Sequence, residues 1–233
     1  RLQVRLFGRD VSSAYHLSSR EVKDGQQSFG VTHPDKTSHT YQLSIPGEIN
    51  ALNAVGCIGL CEAVSAPREK IAAGLKRFPG VWRRCEKIAE RDEVIVLSDY
   101  GHHPTAVAKT VEAVKEFYPG RRLILCFQPH HRNRTRHLFL EFVTSFDQAD
   151  ELLLSEIYDV AGRDEVEDEA VSSQDLCDAI RHHDADRGVA RSITYAANPA
   201  AALKTLREWV KPNDVILVMG AGDIYKIASQ LLV

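Results

Sequence analysis

The 233-residue sequence has no apolar run approaching the roughly 20 residues that a membrane-spanning helix needs, so no such span is expected. It contains no Gly-x-x-x-x-Gly-Lys-Ser/Thr stretch. These residues therefore carry no phosphate-cradling P-loop of their own. A Gly-x-Ser-x-Gly nucleophile elbow is also missing, which removes that route to a serine hydrolase. No internal repeat or low-complexity tract is present. No secretory leader is expected, since Arg1-Leu2-Gln3-Val4 alternates like a strand. The first residue is not Met, so a fragment or processed product is expected. The five cysteines (Cys57, Cys61, Cys85, Cys126 and Cys177) are odd in number and mostly sit in apolar runs. They read as buried thiols of a reducing cytoplasm rather than a disulfide frame. Cys57 and Cys61 lie four apart on an expected helix, but no second pair at zinc spacing accompanies them. A net charge of -3 is too near balance to attract nucleic acid or a membrane by field alone.

What is present points to a packed α/β protein. Hydrophobic residues make up 44% of the chain, enough for a core rather than disorder, and the length suits one large or two small domains. Residues 1–45 alternate in short runs separated by Asp24-Gly25 and Pro34-Asp35, which predicts a small antiparallel sheet. Asn50–Val64 reads as a buried helix, apolar on most faces, and Pro67–Arg77 as a second helix. Gly80–Glu86 is a compact turn or strand. The charged stretch Lys87–Glu93 is the expected boundary, with domains at 1–87 and 88–233.

From Val94 the pattern changes to alternating strand and helix. Strands are expected at Val94–Leu97, Leu123–Phe127, Glu151–Leu154, Ser192–Tyr195 and Val215–Met219. Helices are expected at Thr105–Tyr118, Arg134–Phe146, Ser173–Arg181, Pro199–Val210 and Asp223–Leu232, with an acidic loop over 159–170. Asn198 can cap the fourth helix and Pro199 suits its first position. Such alternation predicts a mostly parallel, Rossmann-like sheet for the C-terminal part, preceded by a smaller α+β piece.

Two strand ends carry the chemistry. Val94–Leu97 opens into Ser98-Asp99-Tyr100-Gly101-His102-His103-Pro104, and Leu123–Phe127 into Gln128-Pro129-His130-His131-Arg132-Asn133-Arg134-Thr135-Arg136. In open α/β sheets the turns after strand C-termini line the ligand crevice, so these corners are expected to meet across one gap. Asp99 could accept ribose hydroxyls or hold a metal. The arginines at a helix start oppose its dipole, a cost that suits carboxylate or phosphate recognition. Gly220-Ala221-Gly222 precedes Asp223 at a strand-to-helix turn. It lacks the third glycine and the early position of a dinucleotide fingerprint.

These corners, in this order, resemble the Mur ligases, most nearly the alanine-adding branch of that family. Pro46-Gly47-Glu48-Ile49-Asn50-Ala51-Leu52-Asn53 and Phe78-Pro79-Gly80-Val81-Trp82-Arg83-Arg84 resemble further family signatures. So do Glu156-Ile157-Tyr158 and Gly220-Ala221-Gly222-Asp223-Ile224. The resemblance implies the end of a central ATPase domain followed by the Rossmann-like C-terminal domain. It implies part of an ATP- and Mg2+-dependent cytoplasmic ligase of peptidoglycan synthesis, joining L-alanine to UDP-N-acetylmuramate through an acyl phosphate. Both cofactors would be held mainly by regions outside these residues, and the fragment alone is expected to be inactive. Small-molecule substrates are implied, with no nucleic-acid or membrane partner. By resemblance Asn50 and Asn53 meet the adenine side, and Arg84 and Asp99 the ribose and phosphates. Tyr100, His102, His130, His131 and Arg134 face alanine and the acyl phosphate, with His102, His130 and Arg134 in the catalytic set. The sequence departs from the family at Ile49 (usually His), Ser98 (often Asp), His131 (usually Arg) and Arg163 (often Glu). Those departures leave open a non-catalytic, ligand-binding remnant of such a ligase. A metal-dependent hydrolase built on Asp99, His102, His103 and His130 is the remaining alternative.

Overall fold

The computed structural model describes residues 4–23, 25–159 and 171–232. Residues 1–3, most of the acidic 159–170 stretch with Arg163, and Asp24 of the expected first turn lie outside the described residues. Two compact units are present, Arg1–Gly80 with Glu116–Pro119 and Val81–Lys115 with Gly120–Val233. No described helix is long and apolar enough to cross a membrane.

The first unit is a four-stranded sheet in the order β1 (Phe7–Gly8), β2 (Tyr15–Lys23), β3 (Gln26–Thr32), β4 (Ser38–Leu43). β2, β3 and β4 are antiparallel as expected, whereas the two-residue β1 runs parallel to β2. Helices α1 (Glu48–Ala63) and α2 (Arg68–Arg77) follow. Their core joins Leu17, Phe29, Val31, Tyr41 and Leu43 to Ala51, Val55, Ile58, Ile71 and Leu75. His33 sits at its edge, 1% exposed, with Nδ1 3.0 Å from Glu62 Oε1. The expectation of a buried α1 needs correction. Ala51, Ala54, Val55 and Ile58 are buried, but Ile49, Leu60 and Val64 are 64%, 74% and 79% exposed, and Cys57 is exposed too. Spacings of three, four and eight put these four on one outward stripe.

The second unit is a six-stranded sheet in the order β5 (Glu86–Arg91), β6 (Val94–Asp99), β10 (Asp214–Met219), β7 (Arg122–Phe127), β8 (Glu151–Ser155), β9 (Ile193–Ala196). All neighbours are parallel except β5, which pairs antiparallel with β6. The charged Lys87–Glu93 stretch is thus largely an edge strand of this sheet. An edge tolerates such charge because one row of its backbone groups faces water. Every residue of β6 and β10 is buried, the mark of strands covered on both faces.

The connecting helices are α3 (Pro104–Phe117), α4 (Arg132–His137), α5 (Phe139–Ser145), α6 (Ser173–Asp186) and α7 (Pro199–Trp209). The single helix expected over Arg134–Phe146 breaks at Leu138, which leaves helical geometry. The terminal helix expected over Asp223–Leu232 is a tighter 3₁₀ segment, Ile224–Gln230. Asn198 does cap α7, accepting from Ala201 N at 2.9 Å with Pro199 at the first position. α7 and the 3₁₀ segment cover one face of the sheet through Ala202, Leu206, Ile224 and Ile227 on Val96, Cys126, Leu153 and Val218. On the opposite face Phe127 packs against Phe142 of α5 and Phe146 just after it, at 5.7 and 5.4 Å between ring centres.

A buried ion pair closes the base of this unit. Arg191 and Asp184 are each 4% exposed at the side chain, and Arg191 reaches both carboxylate oxygens at 2.6 and 3.1 Å. It also donates to the Phe146 and Ala149 carbonyls. Arg191→Met should strand the Asp184 charge and lower this unit's unfolding free energy by about 3–5 kcal/mol. Urea denaturation followed by tryptophan fluorescence reads this unit, since Trp82 and Trp209 both belong to it.

Candidate functional site

The register of the sheet sets the site. Met219 pairs with Asp99 on one side and Phe127 on the other, and Phe127 with Leu154. Four strands therefore end at one level, and their turns start side by side. After β7 the chain leads to α5 on one face; after β10 it leads to the 3₁₀ segment on the other. Adjacent strands whose connections leave in opposite directions open a crevice between them.

The first corner is built on Asp99, 6% exposed at the end of β6. Its Oδ1 accepts from Gly101 N at 2.7 Å and its Oδ2 from Cys85 N at 2.9 Å. Burial pushes its carboxyl above the usual range, and the two N–H donors and Arg84 work against that rise. Both oxygens are engaged in fixing the turn, so Asp99 first of all shapes this corner. Tyr100, 36% exposed, presents its ring beside His102, 5.2 Å away and edge-on. His102 turns Nδ1 to the Tyr100 carbonyl at 3.1 Å, and His103 points into solvent. Arg84 is exposed, with its guanidinium 5.7 Å from the Tyr100 ring centre.

The second corner brings His130 to within 6.3 Å of His102, ring centre to ring centre. The two corners that sequence reasoning joined therefore do meet. His130 stacks on Tyr158 at 5.5 Å and touches His131 edge-on at 4.0 Å. Backbone bonds from His131 N to Tyr158 O and from Tyr158 N to Pro129 O hold this arrangement. His130 Nδ1 is buried with no hydrogen-bond partner among the described residues. Burial, then the neighbouring His131, Arg134 and His102, lower its pKa to about 4. His131 adopts φ 67 to cap α4.

The arginines of this corner divide. Arg132 is spent on structure: it pairs with Asp159 at 2.6 Å, reaches Glu156 at 3.4 Å and donates to the Val171 carbonyl at 2.7 Å. The Arg134 guanidinium has no hydrogen bond or ion pair among the described residues and bears on His130 by charge alone. A guanidinium left in that condition beside a crevice is suited to an incoming carboxylate or phosphoryl group.

The third corner, Gly220–Asp223, is where sequence reasoning saw least. Gly220 takes φ 149, and a Cβ on it would lie 2.6 Å from the Gln128 carbonyl oxygen. Gln128, 3% exposed, bridges the corners, accepting from Ile224 N at 3.1 Å. Arg83, 5% exposed, donates to the Gly220 and Gly222 carbonyls. The Arg83-Arg84 doublet was the available signal, but nothing in it tells which arginine turns inward.

Asn50 and Asn53 belong to the other unit, on α1. Asn50 Nδ2 donates to the Pro46 carbonyl at 2.6 Å, and Asn53 is exposed. Asp99, His102, His103 and His130 do not gather three ligand atoms within 4.8 Å of one another. The group that does so among the described residues is Asp147, His183 and Asp184, within 4.8 Å. It lies at the strand N-termini, away from the crevice, and Arg187 and Arg191 already pair with its carboxylates.

A family model described as Mur ligase, glutamate ligase domain, matches residues 83–222, more than half of the chain. The chain belongs to the Mur ligase family. A UDP-N-acetylmuramate–L-alanine ligase of Geobacter sulfurreducens is 35% identical over all of this chain and 49% of its own length. One from Solidesulfovibrio magneticus is 39% identical over 95% of this chain and 47% of its own. The solved UDP-N-acetylmuramate-alanine ligase of Thermotoga maritima superposes with a TM-score of 0.76 at 23% identity, covering 98% of this chain and 47% of that one. It shares the fold. The chain spans about half the length of these three relatives.

Two measurements check the site. In an NMR pH titration His130 should titrate near 4, so it is neutral at pH 7. Its folded pKa lies below the reference of about 6.5, so protonation favours the unfolded chain. Its contribution to stability is full above about pH 6.5 and is lost as pH falls through the window between those two values. Arg134→Met should move the His130 midpoint upward. Separately, a Cβ at Gly222 would sit 2.5 Å from Gln128 Oε1 and 2.6 Å from the Tyr158 ring. Gly222→Ala should therefore destabilise this unit by about 1–3 kcal/mol in urea denaturation.

Proposed function

We propose that this chain is the C-terminal part of an ATP-dependent ligase that joins L-alanine to UDP-N-acetylmuramate through an acyl phosphate, in the cytoplasmic phase of peptidoglycan synthesis. The observation that carries this is the ring and cation cluster at the crevice, Tyr100–His102–His130–His131 with Arg134 left over. Relatives that match over nearly the whole chain and carry that enzyme name support it. The outward apolar stripe on α1 also fits a first unit that packs against further polypeptide, here the rest of a central ATPase domain. ATP turnover is proposed for the complete protein, since these residues hold no P-loop sequence.

In this proposal Arg134 grips the alanine carboxylate by its guanidinium fork. The alanine nitrogen attacks the acyl carbon, the C–N bond forms, and the C–O bond to phosphate breaks with its electron pair leaving on phosphate. Positive groups around the crevice stabilise the charge that develops on oxygen. His130 is neutral first because it is buried and then because of the cations beside it, Arg134 among them. An anionic phosphoryl group alongside would offset those cations and raise its affinity for a proton, so it can take up the proton the amine sheds. Tyr100, His102 and His131 line the same wall. Arg84 and Asp99 would serve the ribose and phosphates of ATP, and Asn50 and Asn53 the adenine. Magnesium, when bound, would neutralise phosphate charge. The described crevice residues do not converge as a cation site, so none of them is assigned to it.

The test uses a complete ligase carrying these residues. Arg134→Ala should raise the apparent KM for alanine by about 10- to 100-fold, the size of a lost charge-assisted contact. The KM for ATP should change little. An unchanged alanine KM removes Arg134 from this role, and with it the main support for the ligase assignment.

A further inference from the structure

We propose that Arg83 is a positioning residue that sets the direction of Tyr100 and the course of the Gly220–Gly222 turn. It touches the crevice wall from behind rather than from within. Its guanidinium lies between two rings, 4.7 Å from the centre of Tyr100 and 4.2 Å from that of Tyr225, with Trp82 at 5.4 Å. The same group donates to the carbonyls of Gly220 and Gly222. Its backbone is used as well. The Arg83 carbonyl accepts from Tyr100 N at 2.8 Å, and its N–H donates to Glu86 Oε2 at 2.9 Å. One residue thus joins the segment before β5 to the turns after β6 and β10.

The chemistry explains why this position needs arginine. A planar fork can donate in its plane to two carbonyls while both faces stack on rings. Lysine is a point charge on a flexible stem and cannot do both at once. Methionine would fill the volume and leave two buried carbonyls without a donor. The link to function passes through Tyr100, whose ring lies edge-on to His102. This role therefore rests on the proposal that Tyr100 faces the amino-acid side of the reaction. Arg83 is 5% exposed, so it acts on the ligand only through its neighbours.

The test is made on the isotope-labelled 233-residue chain with no substrate, so failure of the ligase assignment would not affect it. In the unsubstituted chain the Arg83 side-chain N–H signals should be resolved and slow to exchange, with cross-peaks to the Tyr100 and Tyr225 rings. In Arg83→Met and Arg83→Lys the Tyr100–His102 ring cross-peak should be lost, and the Gly220 and Gly222 carbonyl signals should shift while the β7 and β10 amides stay in place. Lysine should not rescue. Averaged, fast-exchanging Arg83 signals in the unsubstituted chain would overturn the proposal. So would retention of the cross-peak and carbonyl shifts in either folded variant.

Discussion

The site depends on one strand returning to the middle of its sheet. β10 is the last strand in the chain, yet it lies between β6 and β7 and pairs with both along its length. Parallel pairing in register brings Asp99, Met219 and Phe127 to one level. The ladder then runs one residue further on each side, Gly220 N to Asp99 O at 3.1 Å and Gln128 N to Met219 O at 2.9 Å. The corners are thus extensions of a fully buried core rather than free loops. A polar crevice on such a base stays preorganised, because its walls can move only if the ladder beneath them opens. Close approach is part of this. Gly220 and Gly222 sit where a side chain would collide with Gln128 and Tyr158.

Charge in the second unit is sorted by depth. Arg191 and Arg122 are committed to Asp184 and Asp214, and Arg132 to Asp159, so these cations hold loops to strands. Arg83 is buried, and desolvation lowers its hold on its proton. The rings of Tyr100 and Tyr225 offset some of that cost. Arg134 remains as a guanidinium beside His130 at the crevice. Because burial, and then its neighbours, hold His130 neutral, an arriving anion meets Arg134 as a permanent charge and His130 as a group ready to become one.

Much of this was legible in the sequence. Short apolar runs ending in His- and Arg-rich turns specified parallel strands and the crevice, and the Asn198-Pro199 cap and the convergence of His102 with His130 followed the same logic. The rest was hidden for physical reasons. Lys87–Glu93 looks like a boundary because an edge strand tolerates charge. Asn50–Val64 looks buried because composition does not say which apolar face has a partner. A helix over Arg134–Phe146 satisfies periodicity, yet the backbone turns at Leu138. Adjacent Arg83 and Arg84 carry identical chemistry, yet Arg83 takes φ 54 and is buried whereas Arg84 is exposed. Arg132 and Arg134, two apart, differ because Asp159 and Glu156 arrive from a distant strand end to claim the first.

The central claim is that the crevice corners belong to the core of the sheet. Native-state amide hydrogen exchange measures this residue by residue. The amides of Tyr100, Gln128, Gly220 and Ile224, each bonded from one corner to another segment, should exchange only with opening of the β6–β10–β7 core, at the same free energy as Ile216 and Val218. Exchange of those four at the rate of surface turns, while Ile216 and Val218 stay protected, would contradict it.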